Sequence, residues 1–124
     1  MIHLDTSFLI RALVRHSGED RRLRTWLAVG TPLSISAIAW AEFLCGPVRP
    51  GDADLAAEVL PEPVPLEASD AIMTARLFSL AGRRGSFVDC MIAAAALRAG
   101  ASLATANPTD FRRFEAAGLK LVAA

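Results

Sequence analysis

A chain of 124 residues, 53% hydrophobic and 21% charged, is long enough to form one compact domain over residues 1–124 and too apolar to stay disordered. Thirteen acidic residues balance thirteen basic ones, which excludes a global basic field as the means of holding a polyanion. Asp5 and Arg11 interrupt the first apolar run too early for a spanning helix of about eighteen residues or for a signal peptide, so the expected setting is cytoplasmic, with no membrane partner.

Residues 2–4 read as a short apolar strand, followed by Thr6 and Ser7 as caps of a helix over 8–16. Gly18 breaks the chain, Glu19 and Asp20 suit a helix N-terminus, and Leu23, Trp26 and Leu27 give helical spacing up to Gly30. A strand over 33–36 leads into a helix over 38–44 that Gly46-Pro47 ends. The Pro- and acid-rich stretch 48–65 holds a short helix over 53–60 and leads into a strand over 64–66. Ser69 and Asp70 cap a helix to Ala81, Gly82-Arg83-Arg84-Gly85 is a loop, and Ser86 caps an alanine-rich helix to Ala99. A strand over 102–105, Pro108 in the first turn of a short helix, and a strand over 119–122 after Gly118 complete the pattern.

Short apolar strands alternating with about seven helices predict an α/β fold, a three-layer sandwich with a central, mostly parallel sheet and right-handed crossovers. Sites in such folds form beyond the carboxyl ends of the strands, and Asp5 stands at one of those ends. Cys45 and Cys90 lie in predicted helices without CxxC or Cys/His spacing, which speaks against zinc and disulfides and for buried thiols. His3 and His16 also lack ligand spacing and read as satisfied structural residues.

Four acids sit where charge is costly or conspicuous. Asp5 separates an apolar strand from an apolar helix, where a carboxylate must cap, pair or bind a metal. Glu42 has only uncharged helical neighbours, Ile38, Ala39, Cys45 and Gly46, so it projects from an apolar surface. Asp89 opens the helix Asp-Cys-Met-Ile-Ala, with Ser86 three residues earlier in a capping-box-like arrangement that would account for it alone. Asp110 follows the strand ending near Thr105 and doubles as a first-turn acid, while Asn107 is an alternative cap before Pro108. Several carboxylates without His or Cys indicate a hard cation, Mg2+ with Mn2+ as a substitute. Phosphodiester hydrolysis by a metal-activated water is the natural reaction.

The segments MIHLDTSFLI, Ser36-Ala37-Ile38-Ala39-Trp40-Ala41-Glu42-Phe43, Phe87-Val88-Asp89-Cys90-Met91-Ile92, Thr105-x-Asn107-x-x-Asp110-Phe111 and Gly118-Leu119 together resemble the PIN domain, specifically the VapC-type toxins of bacterial toxin–antitoxin pairs. The resemblance runs from end to end. It implies a metal-dependent endoribonuclease cutting single-stranded stretches of RNA, commonly tRNA or rRNA, and leaving a 3′-hydroxyl and a 5′-phosphate. By position, Asp5, Glu42 and Asp89 match the family's metal-binding acids. This chain has Asn107 where many PIN proteins carry a fourth acid, and Asp110 is the favoured substitute. Thr6, Ser7 and Thr105 would hydrogen-bond a metal-bound water or phosphate. A homodimer and a VapB-like antitoxin laid across the groove are also implied, with Trp26, Trp40, Phe43 and Leu44 as its apolar pocket or as plain core. Arg83, Arg84, Arg112 and Arg113 are candidates for gripping RNA phosphates.

Competing classes fit less well. An aspartate-nucleophile phosphatase needs a second Asp two residues after the first, where this chain has Ser7. A Rossmann or P-loop nucleotide binder needs glycine spacings absent here, and the Gly-Arg-Arg-Gly loop lacks the surrounding pattern of a KH domain. A catalytically degenerate PIN module that works through its antitoxin or nucleic-acid complex stays open, because of Asn107.

Overall fold

The computed structural model describes residues 1–122. In chain order its elements are β1 (Ile2–Leu4), α1 (Thr6–Ala12), α2 (Gly18–Val29), β2 (Leu33–Ser34), α3 (Ala37–Cys45), α4 (Asp52–Val59), α5 (Ala68–Leu80), α6 (Phe87–Ala99), β3 (Ser102–Ala104), α7 (Pro108–Phe111), a 3₁₀ segment (Arg112–Ala117) and β4 (Lys120–Leu121). The four strands pair in the order β2-β1-β3-β4, all parallel, with Ile2 opposite Leu33 on one side and Ser102 on the other. This is the expected α/β sandwich with seven α-helices among the described residues. None of those helices is long and apolar enough to cross a membrane.

The topology decides where a site can form. From β1 the chain crosses to β2 on one edge, then returns past β1 to reach β3 on the other side. Neighbouring strands β1 and β3 therefore send their connections in opposite directions, and a crevice opens beyond their carboxyl ends. Leu4, Leu9, Ile35, Phe43, Leu77, Ile92, Leu103, Phe111 and Phe114 form the buried centre beneath it. Helix α6 is buried along Ile92 to Ala96, where four consecutive alanines let it lie close to α5, α3 and β3.

Several boundaries differ from expectation for local reasons. Helix α1 ends at Ala12 rather than residue 16, because the Ser17 hydroxyl donates to the Arg11 carbonyl at 2.6 Å and folds the chain back. His16 then lies outside the helix in the left-handed region, exposed, its N–H donated to Asp20. The strand over 64–66 shrinks to one bridge between Ser36 and Val64, since Pro63 and Pro65 lack the N–H groups a ladder needs. β2 stops at Ser34 and β4 covers only Lys120–Leu121. The N-cap of α5 is Glu67, not Ser69: its N–H donates to the Asp70 carboxylate at 2.9 Å, the reciprocal half of a capping box.

His3 is not the satisfied residue its sequence position suggests. It lies in the central strand, 1% exposed, and neither ring nitrogen has a hydrogen-bond partner among the described residues. Burial, then the nearby charges of Arg98 and the N-terminus, lower its pKa below the ordinary 6.5. The unfolded chain therefore takes up the proton more readily, and the stability His3 contributes is present above about pH 6.5 and lost as the pH falls. We expect His3→Leu to resist acid better than the parent: urea midpoints measured at pH 7.5 and pH 5 should diverge less in the variant, and an unchanged divergence would contradict the orphaned imidazole.

Candidate active site

Asp5 and Thr105 each follow the last residue of a strand, and they face each other across the β1/β3 crevice. The two chains are laced there by the Asp5 N–H, which donates to the Ala104 carbonyl at 2.8 Å. Asp5 stands at the N-cap position of α1, yet its carboxylate makes no capping bond. Instead Oδ2 accepts the Ser7 hydroxyl at 2.7 Å and the Thr105 hydroxyl at 2.8 Å. Ser7 Oγ in turn accepts the Ala106 N–H, and Thr105 Oγ1 the Asn107 N–H, both at 3.0 Å. Asp5 is 5% exposed, and Oδ1 has no intramolecular partner among the described residues. A buried carboxylate held on one oxygen only, with the other left open, is a positioned acceptor rather than a helix cap.

Glu42, which the sequence places on an apolar helical surface, is exposed. Thr6 explains its position, since its hydroxyl lies 3.0 Å from both Glu42 Oε1 and the Ala39 carbonyl and pins α3 to the start of α1. For Asp89, half of the anticipated capping box is present, with Ser86 Oγ accepting the Asp89 N–H at 3.2 Å. Its carboxylate makes no hydrogen bond among the described residues. Burial pushes its pKa from 3.8 up to about 6, reinforced by the charges of Asp5, Asp110 and Glu42 and opposed by Arg113. Acids 37, 47 and 84 residues apart, by difference of position along the chain from Asp5 to Glu42, Glu42 to Asp89 and Asp5 to Asp89, thus share one electrostatic neighbourhood with Asp110. Asp110 is exposed in the first turn of α7, and Asn107 sits at that helix's N-cap position without a side-chain capping bond.

The donor set is oxygen only, which suits a hard cation. Among the described residues no three His, Cys, Asp or Glu side chains form a group that could hold a metal ion directly. Magnesium ordinarily keeps several waters and needs only one or two carboxylates. The open Oδ1 of Asp5, whose charge reaches the Asp89 carboxyl, fits that mode of binding, and a cation there would offset the burial and the neighbouring charges that raise Asp89.

The hydroxyls and arginines divide differently from their sequence reading. Ser7, Thr105 and Thr6 are engaged by the acids, so they position carboxylates rather than point free hydroxyls at a substrate. Arg113 is half-buried: Nη1 donates to the Arg84 carbonyl at 2.9 Å, the guanidinium lies 4.7 Å from the Phe114 ring centre, and Nε and Nη2 have no hydrogen-bond partner among the described residues. It acts as a countercharge to Asp89, not as an exposed phosphate clamp. Gly85, at φ +80°, has no room for a side chain because any Cβ would collide with that guanidinium. Arg83 packs over Phe78 at 5.1 Å, while Arg83, Arg84 and Arg112 are exposed.

The four apolar residues expected to make one pocket are dispersed. Phe43 is buried and borders a groove with Ile10, Leu13, Val14 and Pro47, Trp40 stacks on Phe43 but lines a different hollow with Ile35 and Leu60, Leu44 is exposed, and Trp26 faces a separate cleft. Cys45 is exposed and only Cys90 is buried. Sequence reasoning passed over the pairing of Arg22 with Trp26, whose spacing of four on α2 puts them on one helical face.

Residues 2–117 match the PIN domain, and the chain belongs to that family. Its fold is similar to VapBC2 from Rickettsia felis bound to a promoter DNA fragment, at 23% identity over 98% of each chain and a TM-score of 0.77. It is likewise similar to a toxin–antitoxin complex from Klebsiella pneumoniae, at 22% identity over 90% of this chain and 91% of that one with a TM-score of 0.72. A third similar structure is VapC20 from Mycobacterium tuberculosis, a sarcin–ricin loop cleaving toxin, at 19% identity over 98% of both chains with a TM-score of 0.61. No curated protein matches the sequence.

Because the folded pKa of Asp89 lies above its unfolded value, its ionised form destabilises the fold above about pH 6 and is relieved as the pH falls through 6. In chelator-treated protein at pH 8 we expect Asp89→Asn to be more stable than the parent by about 2 kcal/mol, at roughly 1.4 kcal/mol per pKa unit with a deduction for partial solvation. The gain should shrink at pH 5. Equal urea-unfolding free energies for the two proteins at pH 8 would show that neither burial nor the neighbouring acids penalise the ionised Asp89 carboxylate.

Proposed function

We infer that the chain is the toxin of a toxin–antitoxin pair and a Mg2+-dependent endoribonuclease, with Mn2+ able to substitute. The observation that carries this reading is the Asp5 carboxylate held through Oδ2 by Ser7 and Thr105 at the β1/β3 switch point, in one electrostatic neighbourhood with Asp89, whose carboxyl is raised first by burial and then by the charges of Asp5, Asp110 and Glu42. Such a cluster is unfavourable unless a cation neutralises it. Membership of the PIN family and a fold shared with a sarcin–ricin loop cleaving toxin support RNA as the substrate. The shared fold with a toxin–antitoxin complex supports a VapB-like antitoxin as partner.

In this mechanism Asp5 and Asp89 would hold the cation, Glu42 and Asp110 would add negative charge to the same neighbourhood, and Asp110 would take the part that Asn107 cannot. When bound, the cation supplies charge neutralisation at the phosphoryl group and a more acidic water for in-line attack. Ser7 and Thr105 fix the Asp5 carboxylate so that Oδ1 keeps its aim, and Thr6 fixes Glu42. Arg113 keeps Asp89 from protonating further, so the site stays ready to accept a cation near neutral pH.

A second reading, a degenerate module without catalysis, draws on Asn107, an uncharged amide at the N-cap position of α7 where the family pattern calls for a fourth acid. Manganese titration of the antitoxin-free protein separates the two. For the nuclease, Asp5→Asn and Asp89→Asn should each lower metal-dependent RNA cleavage by more than about a hundredfold, and Thr105→Val by about ten- to a hundredfold. Expression of the chain alone should arrest growth, and the antitoxin encoded beside it should relieve the arrest. Full cleavage by both Asn variants would sink the carboxylate mechanism, and a protein that binds no metal and cleaves nothing is the degenerate module.

A further inference from the structure

Thr105 belongs to two hollows. One is the acid crevice, where its hydroxyl holds Asp5. The other is a cleft of about 910 Å³ bounded by α2, the end of β3, α7 and β4, within the size range of pockets that enclose small organic ligands.

Its lining combines two chemistries. On α2, Trp26 stacks on Phe8 with ring centres 5.4 Å apart and 24° between planes, and the Arg22 guanidinium lies 5.2 Å from the Trp26 ring centre. This series of flat groups resembles the platforms on which unpaired bases stack, aromatic rings and guanidinium planes alike. Arg21 and Arg112 add two exposed guanidinium groups. Arg21 is tied to the His16 carbonyl through Nη1 at 3.1 Å, whereas Arg112 makes no hydrogen bond or ion pair among the described residues. Two acids also line the cleft, Glu19 and Glu115, and Glu19 is paired with Arg11 at 2.9 Å, so basic groups prevail along the wall. A cationic cleft with a stacking surface, sharing a wall with a phosphodiester-cleaving crevice, suits a nucleotide better than an acidic peptide, which has no use for the stack.

Resting on the nuclease reading, the geometry points to this cleft as the subsite for the nucleotide adjacent to the scissile phosphate of single-stranded RNA. Its base stacks on the Arg22–Trp26 pair, and Arg112, with Arg21, receives its phosphate. Because Thr105 both holds Asp5 and lines this cleft, a bound strand would pass from the acids to the cleft past this one residue.

The test is the binding of a fluorescein-labelled RNA hexamer to the full chain with metal chelated, so that binding is read without cleavage. Arg22→Ala and Arg112→Ala should each weaken binding about five- to tenfold, and Arg112→Ala should reduce the slope of log affinity against log salt by about 0.7. In a Trp40→Phe background, the remaining Trp26 emission should be quenched on RNA addition. Melting temperatures of the variants report whether they fold, and the exposed Arg112→Ala decides the question if Arg22→Ala does not fold. Unchanged affinity and salt slope, or unaltered Trp26 emission, would overturn the subsite, as would equally tight binding of a hexaglutamate peptide, which marks a protein-binding surface. Asp5→Asn separates this from the parent reading. If the wild type cleaves and Asp5→Asn does not, while the arginine variants bind as the wild type does, the subsite alone fails. If Asp5→Asn and the wild type cleave alike, it is the carboxylate mechanism that fails.

Discussion

Everything in the proposed site depends on holding like charges close together in partly dry surroundings. Carboxylates left to themselves separate or protonate, and Asp89, with its carboxyl raised to about 6, is already part of the way to the second outcome. The fold counters this tendency with rigid parts. Asp5 is tied to the sheet through its own N–H and is gripped at one oxygen by Ser7 and Thr105, whose hydroxyls are themselves fixed by backbone N–H groups of the β3–α7 turn. A network in which every hydroxyl both donates and accepts holds its members in one arrangement more firmly than separate bonds would. The destabilisation stored in the acids is the kind that functional sites retain and the rest of the core offsets.

Arg113 shows how far the surrounding structure has been shaped around that charge. The guanidinium is lodged between the Phe114 ring and the Arg84 carbonyl, and Gly85 leaves the space that any side chain would fill. The Gly82–Gly85 loop, which in one dimension looks like a phosphate clamp, therefore has a structural duty: it seats a fixed positive charge beside Asp89. A fixed guanidinium opposes the rise in the Asp89 pKa while leaving its carboxylate without a hydrogen bond, and on the proposed reading that carboxylate would remain available to a cation. Where the loop's own arginines contact anything, Arg83 lies over Phe78, which ties the loop to α5.

The acid crevice and the adjoining cleft together suggest a division of labour along a bound strand. On the proposed reading, the crevice would supply negative charge for a cation, and the cleft would supply positive charge and flat surface for the nucleotide itself. If the proposal holds, a chain with no net charge would bind a polyanion through local segregation of its charges rather than through a global field. The α1–α2 hairpin joins the two regions physically, since Phe8 of α1 supports Trp26 of α2 while Thr6 and Ser7, two residues and one residue earlier, hold the acids.

Much of the fold was legible in the sequence because its signals are local. Short apolar runs with turn residues between them marked β1, β3 and the order of helices, and Ser86 and Pro108 announced the starts of α6 and α7. The acids Asp5, Glu42, Asp89 and Asp110 stood out because charge beside apolar neighbours is costly wherever the chain folds. What the sequence could not determine was direction and distance. It did not say which way Glu42 points from its apolar surface, left Asp5 open between capping, pairing and metal binding, and offered Arg113 as a candidate phosphate grip without its place against Phe114 and the Arg84 carbonyl. Each of those questions turns on a partner far away in the chain: Thr6 for Glu42, Thr105 for Asp5, and Arg84 and Gly85 for Arg113. The presence of the acids was thus a matter of local chemistry, whereas their convergence was decided only when the parallel sheet brought the ends of β1 and β3 side by side.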